Sequence, residues 1–158
     1  MNATGAQRWS PRVTVAAVIR DAAGRHLLVE EAPQGMPVLN QPAGHLEPGE
    51  SLIDAVVREV REETCRAFVP RALLGVYRWQ VAAEGDTYLR FCFLGEAEET
   101  LDTPRDPDIL GTRWLSASEL AAGRHALRSP LVMQCVRDAE DGQGHPLSLL
   151  HELGIGDG

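Results

Sequence analysis

Residues 44–63 read GHLEPGESLIDAVVREVREE, and this stretch joins a glycine-containing loop to the start of a helix. Ser51 is a good N-cap residue, and Asp54 follows three residues later, as in a variant of the capping box. Neither Gly nor Pro occurs from Leu52 to Thr64. The pattern therefore predicts a helix over Leu52 to about Thr64, entered through a loop that begins at Gly44.

Three glutamates share one side of this helix. Glu59, Glu62 and Glu63 are spaced i, i+3 and i+4, which places them within an arc of about 100°. Like charges at these spacings destabilise an isolated helix by about 0.2–0.5 kcal/mol per pair, so the cluster favours a bound counter-ion. Carboxylate oxygens suit Mg²⁺, with Mn²⁺ as a second option. The alternative interpretation is a solvated stripe of surface charge.

The opposite side of the helix is apolar. Ile53, Val57 and Val60 are expected to pack on a sheet and to fix the direction of the carboxylates. Arg58 lies just off the acidic arc, and we expect it to pair with Glu50 at the helix entrance.

Strands dominate the rest of the chain. Residues 13–19 and 26–30 flank a turn at residues 21–24, which favours a hairpin. Further strand candidates are rich in β-branched or aromatic residues and cover residues 38–41, 72–81, 88–97 and 112–115. Short helices are expected after Ser116 or Ser118 and from Ser129-Pro130 onward. This order predicts an α+β fold, a mixed β-sheet flanked by helices.

Composition limits the classes of function. With 158 residues and 44% apolar content, one domain over residues 11–153 is expected, with flexible segments at 1–10 and 154–158. The net charge of −8 disfavours binding to nucleic acid, and no apolar run approaches the roughly 20 residues that span a membrane. Three cysteines without CxxC spacing, and no apolar signal core, favour the cytoplasm.

The spacing of the loop and the helix resembles a known signature. Gly44, five residues, Glu50, seven residues and then residues 58–63 (REVREE) are similar to G-x5-E-x7-R-E-U-x-E-E-x-G-U of the Nudix hydrolase family, where U is a bulky aliphatic residue. Cys65 replaces the usual Gly and Arg66 replaces the following aliphatic residue. Neither position binds metal in the family, but the Gly normally helps the chain to leave the helix.

The resemblance implies an α/β/α sandwich that hydrolyses nucleoside diphosphates linked to another moiety. It implies a Mg²⁺ site and a structural ion pair between Glu50 and Arg58. The metal ligands would be Gly44 through its carbonyl, Glu59, Glu62 and Glu63. Either Glu59 or Glu62 would orient or deprotonate the attacking water, unless a later loop supplies the base, for which Asp106 and Asp108 are the candidates.

Residues 40–47 and 127–131 are similar to the NudJ-type phosphatase branch of that family, and the likeness extends from Arg12 to Leu150. This branch implies release of orthophosphate from nucleoside di- and triphosphates, or from the pyrophosphate of the thiamine pyrimidine precursor. The expected partner is thus a small nucleotide or organic pyrophosphate, with no nucleic acid and no membrane, bound by a monomer or a homodimer.

Candidate substrate contacts are polar or aromatic residues near the signature and on the strands. Strand alternation would place Arg90 on the same face as Tyr88 and Cys92, from which it would reach a phosphate. Core packing is the alternative for the aromatic residues, surface solvation for Arg90 and a helix-entry contact for Arg128. The full set is Gln41, His45, Tyr77, Trp79, Tyr88, Arg90 and Arg128.

Three other functions compete with this interpretation. One is a Nudix pyrophosphohydrolase acting on an oxidised nucleotide, ADP-ribose, a dinucleoside polyphosphate or an RNA 5′ end. Another is a catalytically silent Nudix domain that senses a ligand, although the intact glutamate cluster disfavours it. The last is an unrelated protein whose glutamates are surface charge.

Overall fold

The computed structural model describes residues 7–155. Within this range there are seven strands: β1 (Arg12–Ile19), β2 (His26–Glu31), β3 (Val38–Asn40), β4 (Ala43–His45), β5 (Arg66–Gln80), β6 (Thr87–Thr100) and β7 (Ile109–Leu115). The helices are α1 (Leu52–Thr64), α2 (Ala117–Ala121) and α3 (Pro130–Glu140), followed by a 3₁₀ turn at Leu147–Leu149. No helix within the described range is long and apolar enough to cross a membrane.

The strands form two sheets. The larger sheet has the order β4-β1-β6-β5, and the smaller one has the order β3-β2-β7. β1 pairs in parallel with β6 and antiparallel with β4, so the larger sheet is mixed. β4 is an edge strand of this sheet and contains Gly44, the first residue of the signature.

Helices cover both faces of the larger sheet. Val15, Ala17 and Phe93 face α1 and pack with its Val56 and Val60. The alternate residues of β1 and β6 face the other way, where Cys92 packs with Cys135 of α3. α2 and α3 also cover the smaller sheet through Leu28 and Leu39. The layers confirm the predicted α+β sandwich of a mixed sheet between helices.

One prediction about the strands is wrong. The strands at residues 13–19 and 26–30 do not form a hairpin, because β1 and β2 belong to different sheets and meet only in an isolated bridge between Arg20 and His26. β1 is buried and mostly apolar from Thr14 to Ile19 because both of its faces are covered there, which is typical of a central strand with a parallel neighbour. Its real neighbours lie far along the chain.

The helix predicted from Leu52 to about Thr64 is confirmed as α1. Its most deeply buried apolar residues are Ala55, Val56 and Val60, whereas Ile53 and Val57 pack at the edge of the core and are only partly buried. The buried side is therefore rotated slightly from the predicted one. The expectation of flexible segments at 1–10 and 154–158 falls largely on residues 1–6 and 156–158, which lie outside the described residues.

Candidate active site

Both ends of α1 are held by specific contacts. At the N-terminus the Ser51 hydroxyl accepts a hydrogen bond from the Asp54 N–H, and the Glu152 carboxylate accepts one from the Leu52 N–H at 2.7 Å. At the C-terminus Cys65 adopts the left-handed conformation, with φ 56°, and its N–H bonds the Arg61 carbonyl. Cys65, which replaces the usual glycine, therefore ends the helix in the backbone conformation that glycine would adopt. These contacts fix the direction in which the carboxylates of α1 project.

Arg58 is the cation of the carboxylate cluster. Its guanidinium donates to both oxygens of Glu50, at 3.0 and 2.7 Å, and to the His45 carbonyl at 3.0 Å. The same side chain donates to Glu59 at 2.7 Å and to Glu62 at 3.3 Å. The hydrogen bonds that Arg58 donates to Glu50 lower the pKa of Glu50 and raise the pKa of Arg58. Arg58 thus ties the signature loop to the acidic side of α1.

Glu63 and Glu59 are the more shielded carboxylates of the cluster. Glu63 is 5% exposed and accepts the Ala43 N–H at 2.7 Å. Burial raises the pKa of Glu63 to about 9; the Ala43 N–H opposes this rise, and nearby carboxylates, including Glu59, add to it. Burial also raises the pKa of Glu59, and Arg58 opposes that rise. Both carboxyl groups are therefore held close together in surroundings that disfavour their negative charge.

The backbone of Gly44 lies directly against the Glu59 carboxylate. A β-carbon built on Gly44 would overlap the Glu59 carboxylate. Because Gly44 has no side chain, its backbone can lie next to the Glu59 carboxylate at the edge of the sheet. Glu63 contacts the neighbouring residue, Ala43, at the same edge. A side chain at position 44 would therefore push the Glu59 carboxylate out of this arrangement.

The donor set at this edge fits a hard divalent cation. It consists of oxygen atoms alone, those of the Gly44 backbone and the glutamates of α1, and Mg²⁺ prefers such ligands. A bound cation would also remove the unfavourable proximity of the Glu59 and Glu63 charges. Between residues 7 and 155, no three His, Cys, Asp or Glu side chains already converge as a metal site. Glu59 and Glu62 are instead turned toward Arg58.

The two later carboxylates proposed as bases differ in position. The Asp106 N–H donates to the Glu62 carbonyl at 2.8 Å, and the Asp106 charge is among those that raise the pKa of Glu63. Asp106 therefore lies beside the cluster. Asp108 is exposed, and its N–H bonds back to the Asp106 carboxylate at 2.9 Å.

A cavity of about 670 Å³ opens beside β4, and Gly44 and Ala43 form part of its wall. Trp79 and Tyr88 also line it and stack on each other, with ring centroids 5.8 Å apart. Of the predicted substrate contacts, His45, Trp79, Tyr88, Arg90 and Arg128 line this cavity. Tyr77 lies elsewhere, since its hydroxyl donates to Asp138 on α3 at 2.7 Å.

The structure places Gln41, a predicted substrate contact, behind the cavity wall. Gln41 is 1% exposed, its amide N–H donates to the Val132 carbonyl at 2.8 Å, and its amide oxygen accepts from Arg90 at 3.0 Å. Both ends of the amide are thus occupied within the protein. Gln41 holds Arg90 in place and does not reach the cavity.

Sequence reasoning missed Asn40 and Glu31 as site residues. Both line the cavity, and Asn40 accepts a hydrogen bond from Arg90 at 3.3 Å while donating to Glu31 at 3.5 Å. The signal available in the sequence was a polar pair, Asn40-Gln41, between apolar Leu39 and Pro42. Glu152 was also missed, because its partner at Leu52 is 100 residues away.

Comparison with known proteins identifies the family. A model of the NUDIX domain family matches residues 10–134, which is most of the chain. The protein belongs to the Nudix family and is a hydrolase acting on phosphorus anhydrides. The resemblance drawn from residues 44–63 is confirmed.

Within the family, the chain is 41% identical over 146 residues to Phosphatase NudJ of Escherichia coli K12, which covers 92% of this chain and 94% of that protein. A solved NUDIX hydrolase from Nitrosomonas europaea has 48% identity and a TM-score of 0.85, covering 90% of this chain and 97% of that one. The MutT NUDIX hydrolase of Burkholderia pseudomallei shares the fold, with a TM-score of 0.71 at 24% identity over 82% of this chain and 98% of that one. The predicted likeness to the NudJ branch is confirmed.

Proposed function

We propose that the protein is a Mg²⁺-dependent phosphatase of the cytoplasm that releases orthophosphate from nucleoside di- and triphosphates or from thiamine pyrimidine pyrophosphate. The observation that carries this proposal is the position of Gly44, which forms the border between the carboxylate edge and a 670 Å³ cavity. A phosphate chain that crosses this border would present its terminal phosphorus to the glutamates while its organic part lies in the cavity. The 41% identity to a phosphatase favours terminal phosphate release.

The surroundings of the three glutamates indicate different roles for them. Glu63 is anchored on the Ala43 N–H, and Glu59 is confined between Arg58 and Gly44, so these two are the fixed oxygen ligands for Mg²⁺. When bound, the cation neutralises charge on the phosphoryl oxygens and lowers the pKa of water. Glu62 is 44% exposed and makes only a 3.3 Å contact with Arg58, which leaves it able to turn toward a water molecule.

Glu62 therefore orients the attacking water and accepts its proton. The water oxygen bonds to the terminal phosphorus, and the bond from that phosphorus to the bridging oxygen breaks. The bridging oxygen stays with the organic product. General-base assistance of this kind is worth about 10²–10⁴ in rate.

The cavity suits a ring as the organic part. Trp79 and Tyr88 offer an aromatic surface on the β5–β6 hairpin, and a planar heterocycle gains free energy by stacking on such a surface. A nucleobase and the thiamine pyrimidine both meet this requirement. The cavity volume lies within the range of ordinary small-molecule sites.

The test is a product assay on purified protein. Nucleoside di- and triphosphates and thiamine pyrimidine pyrophosphate are incubated with and without Mg²⁺, and orthophosphate and pyrophosphate are measured separately. We expect Mg²⁺-dependent orthophosphate, reduced about 10²-fold or more by Glu62→Gln and unchanged by Glu99→Gln, a matched change at an exposed position of β6. Pyrophosphate as the sole inorganic product would instead favour pyrophosphohydrolase activity, and absence of turnover with every substrate would favour a ligand-sensing module.

A further inference from the structure

Arg90 is a buried cation that has no carboxylate partner among the described residues. The residue lies on β6 and is 5% exposed. Its two oxygen hydrogen-bond partners are neutral amide oxygens, those of Gln41 at 3.0 Å and Asn40 at 3.3 Å, and the Cys135 thiol of α3 lies beside it. Among residues 7–155, no carboxylate forms an ion pair with Arg90. Burying a charge is unfavourable unless an opposite charge joins it, so this arrangement indicates a missing anion.

The surrounding amides hold the guanidinium without neutralising it. The Gln41 amide is fixed by its bond to the Val132 carbonyl, and the Asn40 amide donates to Glu31. Their oxygens are thereby directed at Arg90. Two of the five guanidinium N–H groups are used in this way, and the Nε atom, shielded from solvent, has no hydrogen-bond partner within the described part of the chain. Donors and a full positive charge therefore remain for a ligand.

The guanidinium lies on the cavity side and is directed toward the catalytic edge. Thr14 of β1 pairs with Arg90 on one side and with His45 of β4 on the other. The partners of Arg90, residues 40 and 41, immediately precede β4, so its side chain reaches across β1. Adjacent strands are about 4.8 Å apart, which separates the backbones of β6 and β4 by about 10 Å. An arginine side chain and a short phosphate chain together cover that distance.

We propose that Arg90 binds the phosphate that remains on the organic product, and that Asn40 and Gln41 are its positioning residues. This inference rests on the proposed function, because a phosphate held on Arg90 leaves the terminal phosphorus facing the glutamates only if the terminal phosphate is the one released. With the inner phosphate on Arg90, the terminal phosphorus lies at Glu59 and Glu63. Arg90 thus determines which phosphorus is attacked.

The test measures binding without metal and therefore without turnover. In the presence of EDTA, the affinities for adenosine 5′-monophosphate and for adenosine are compared by calorimetry. For the unmodified protein we expect the monophosphate to bind at least tenfold more tightly. Arg90→Met should reduce this preference to twofold or less, and Arg90→Lys should retain part of it. Arg78→Met, the same change at an exposed position of β5, should leave it unchanged.

Asn40→Asp separates a charge effect from a loss of structure. The new carboxylate still accepts from Arg90 but neutralises it, so the preference for the monophosphate should fall while the affinity for adenosine is kept. A merely structural role for Asn40 would leave the ratio of the two affinities unchanged.

The outcomes distinguish this inference from the proposed function. A tenfold preference that survives Arg90→Met, or no preference in the unmodified protein, overturns the role of Arg90 even if orthophosphate is released. An Arg90-dependent preference without orthophosphate release supports the anion site and overturns the phosphatase proposal.

Discussion

The Glu152 carboxylate accepts a hydrogen bond from the Leu52 N–H, 100 residues earlier in the chain, at 2.7 Å. Leu52 is the first residue of α1, where backbone N–H groups lack partners within the helix. A negative charge at this end also interacts favourably with the helix dipole. The C-terminal part of the chain therefore holds the helix that carries the signature glutamates.

Replacing Glu152 by Ala should weaken this attachment. We expect the free energy of unfolding to fall by about 0.5–1 kcal/mol, as for loss of a helix cap. Urea denaturation followed by circular dichroism measures the change. Glu99→Ala, at an exposed position of β6, is the control. Equal stabilities of the two variants would show that the contact contributes nothing.

Replacing Glu63 by Gln should impair metal binding more than folding. The change removes a charged oxygen ligand next to Ala43, so we expect Mg²⁺ affinity and turnover to fall by about tenfold or more. Glu62→Gln should reduce turnover while keeping most of the affinity for metal. Titration with Mn²⁺, followed by its paramagnetic resonance, reports the binding. A Glu63→Gln variant with full activity at saturating Mg²⁺ would contradict the assignment.

The Glu50–Arg58 ion pair should make stability depend on pH at the acid end. Arg58 holds the pKa of Glu50 below its usual value of 4.5, so the stabilisation is fully present above that pH. It should be lost as the pH falls through the lowered pKa. Glu50→Gln should therefore be less stable than the unmodified protein at pH 7, and the difference should shrink below pH 4.5. A difference that is constant from pH 7 to pH 3 would argue against the ion pair as its source.

Replacing Cys65 by Gly should stabilise the protein. Cys65 has a positive φ, a conformation that costs a residue with a β-carbon about 1–2 kcal/mol and costs glycine little. We expect a gain of about 1 kcal/mol in thermal unfolding experiments. Cys65→Ala is the matched control, because it also loses the contact from the thiol to the Thr103 carbonyl but keeps the strain. If both variants are equally stable, backbone strain at this position is negligible.

Local patterns predicted the helix and its cluster well. The N-cap at Ser51 and the uninterrupted run to Thr64 gave α1 its observed bounds, because capping and helical periodicity depend on residues close in sequence. The pairing of strands depends on distant residues. Nothing in the sequence of β1 indicates that β6, some 70 residues later, is its parallel neighbour, and the assumed hairpin with β2 failed for that reason.

The roles of Gln41 and Arg90 show the same limit within the site. Alternation along β6 correctly placed Arg90 on the face of Cys92, away from Phe93. Burial of the Gln41 amide against Val132 depends on how α3 packs over residues 40–42, and no local pattern encodes that. The direct substrate contact expected of Gln41 is therefore replaced by support of Arg90.

The larger sheet separates the glutamate helix α1 from most of the residues that line the cavity. The helix with the glutamate cluster packs on one face, and residues such as Thr14, Tyr88 and Arg90 line the cavity along the other. A mutation at Trp79 or Tyr88, away from Ala43 and Gly44, can thus change the cavity without touching the packing of α1. This separation makes these two aromatic positions the natural place to redesign the cavity while the glutamate cluster is left intact.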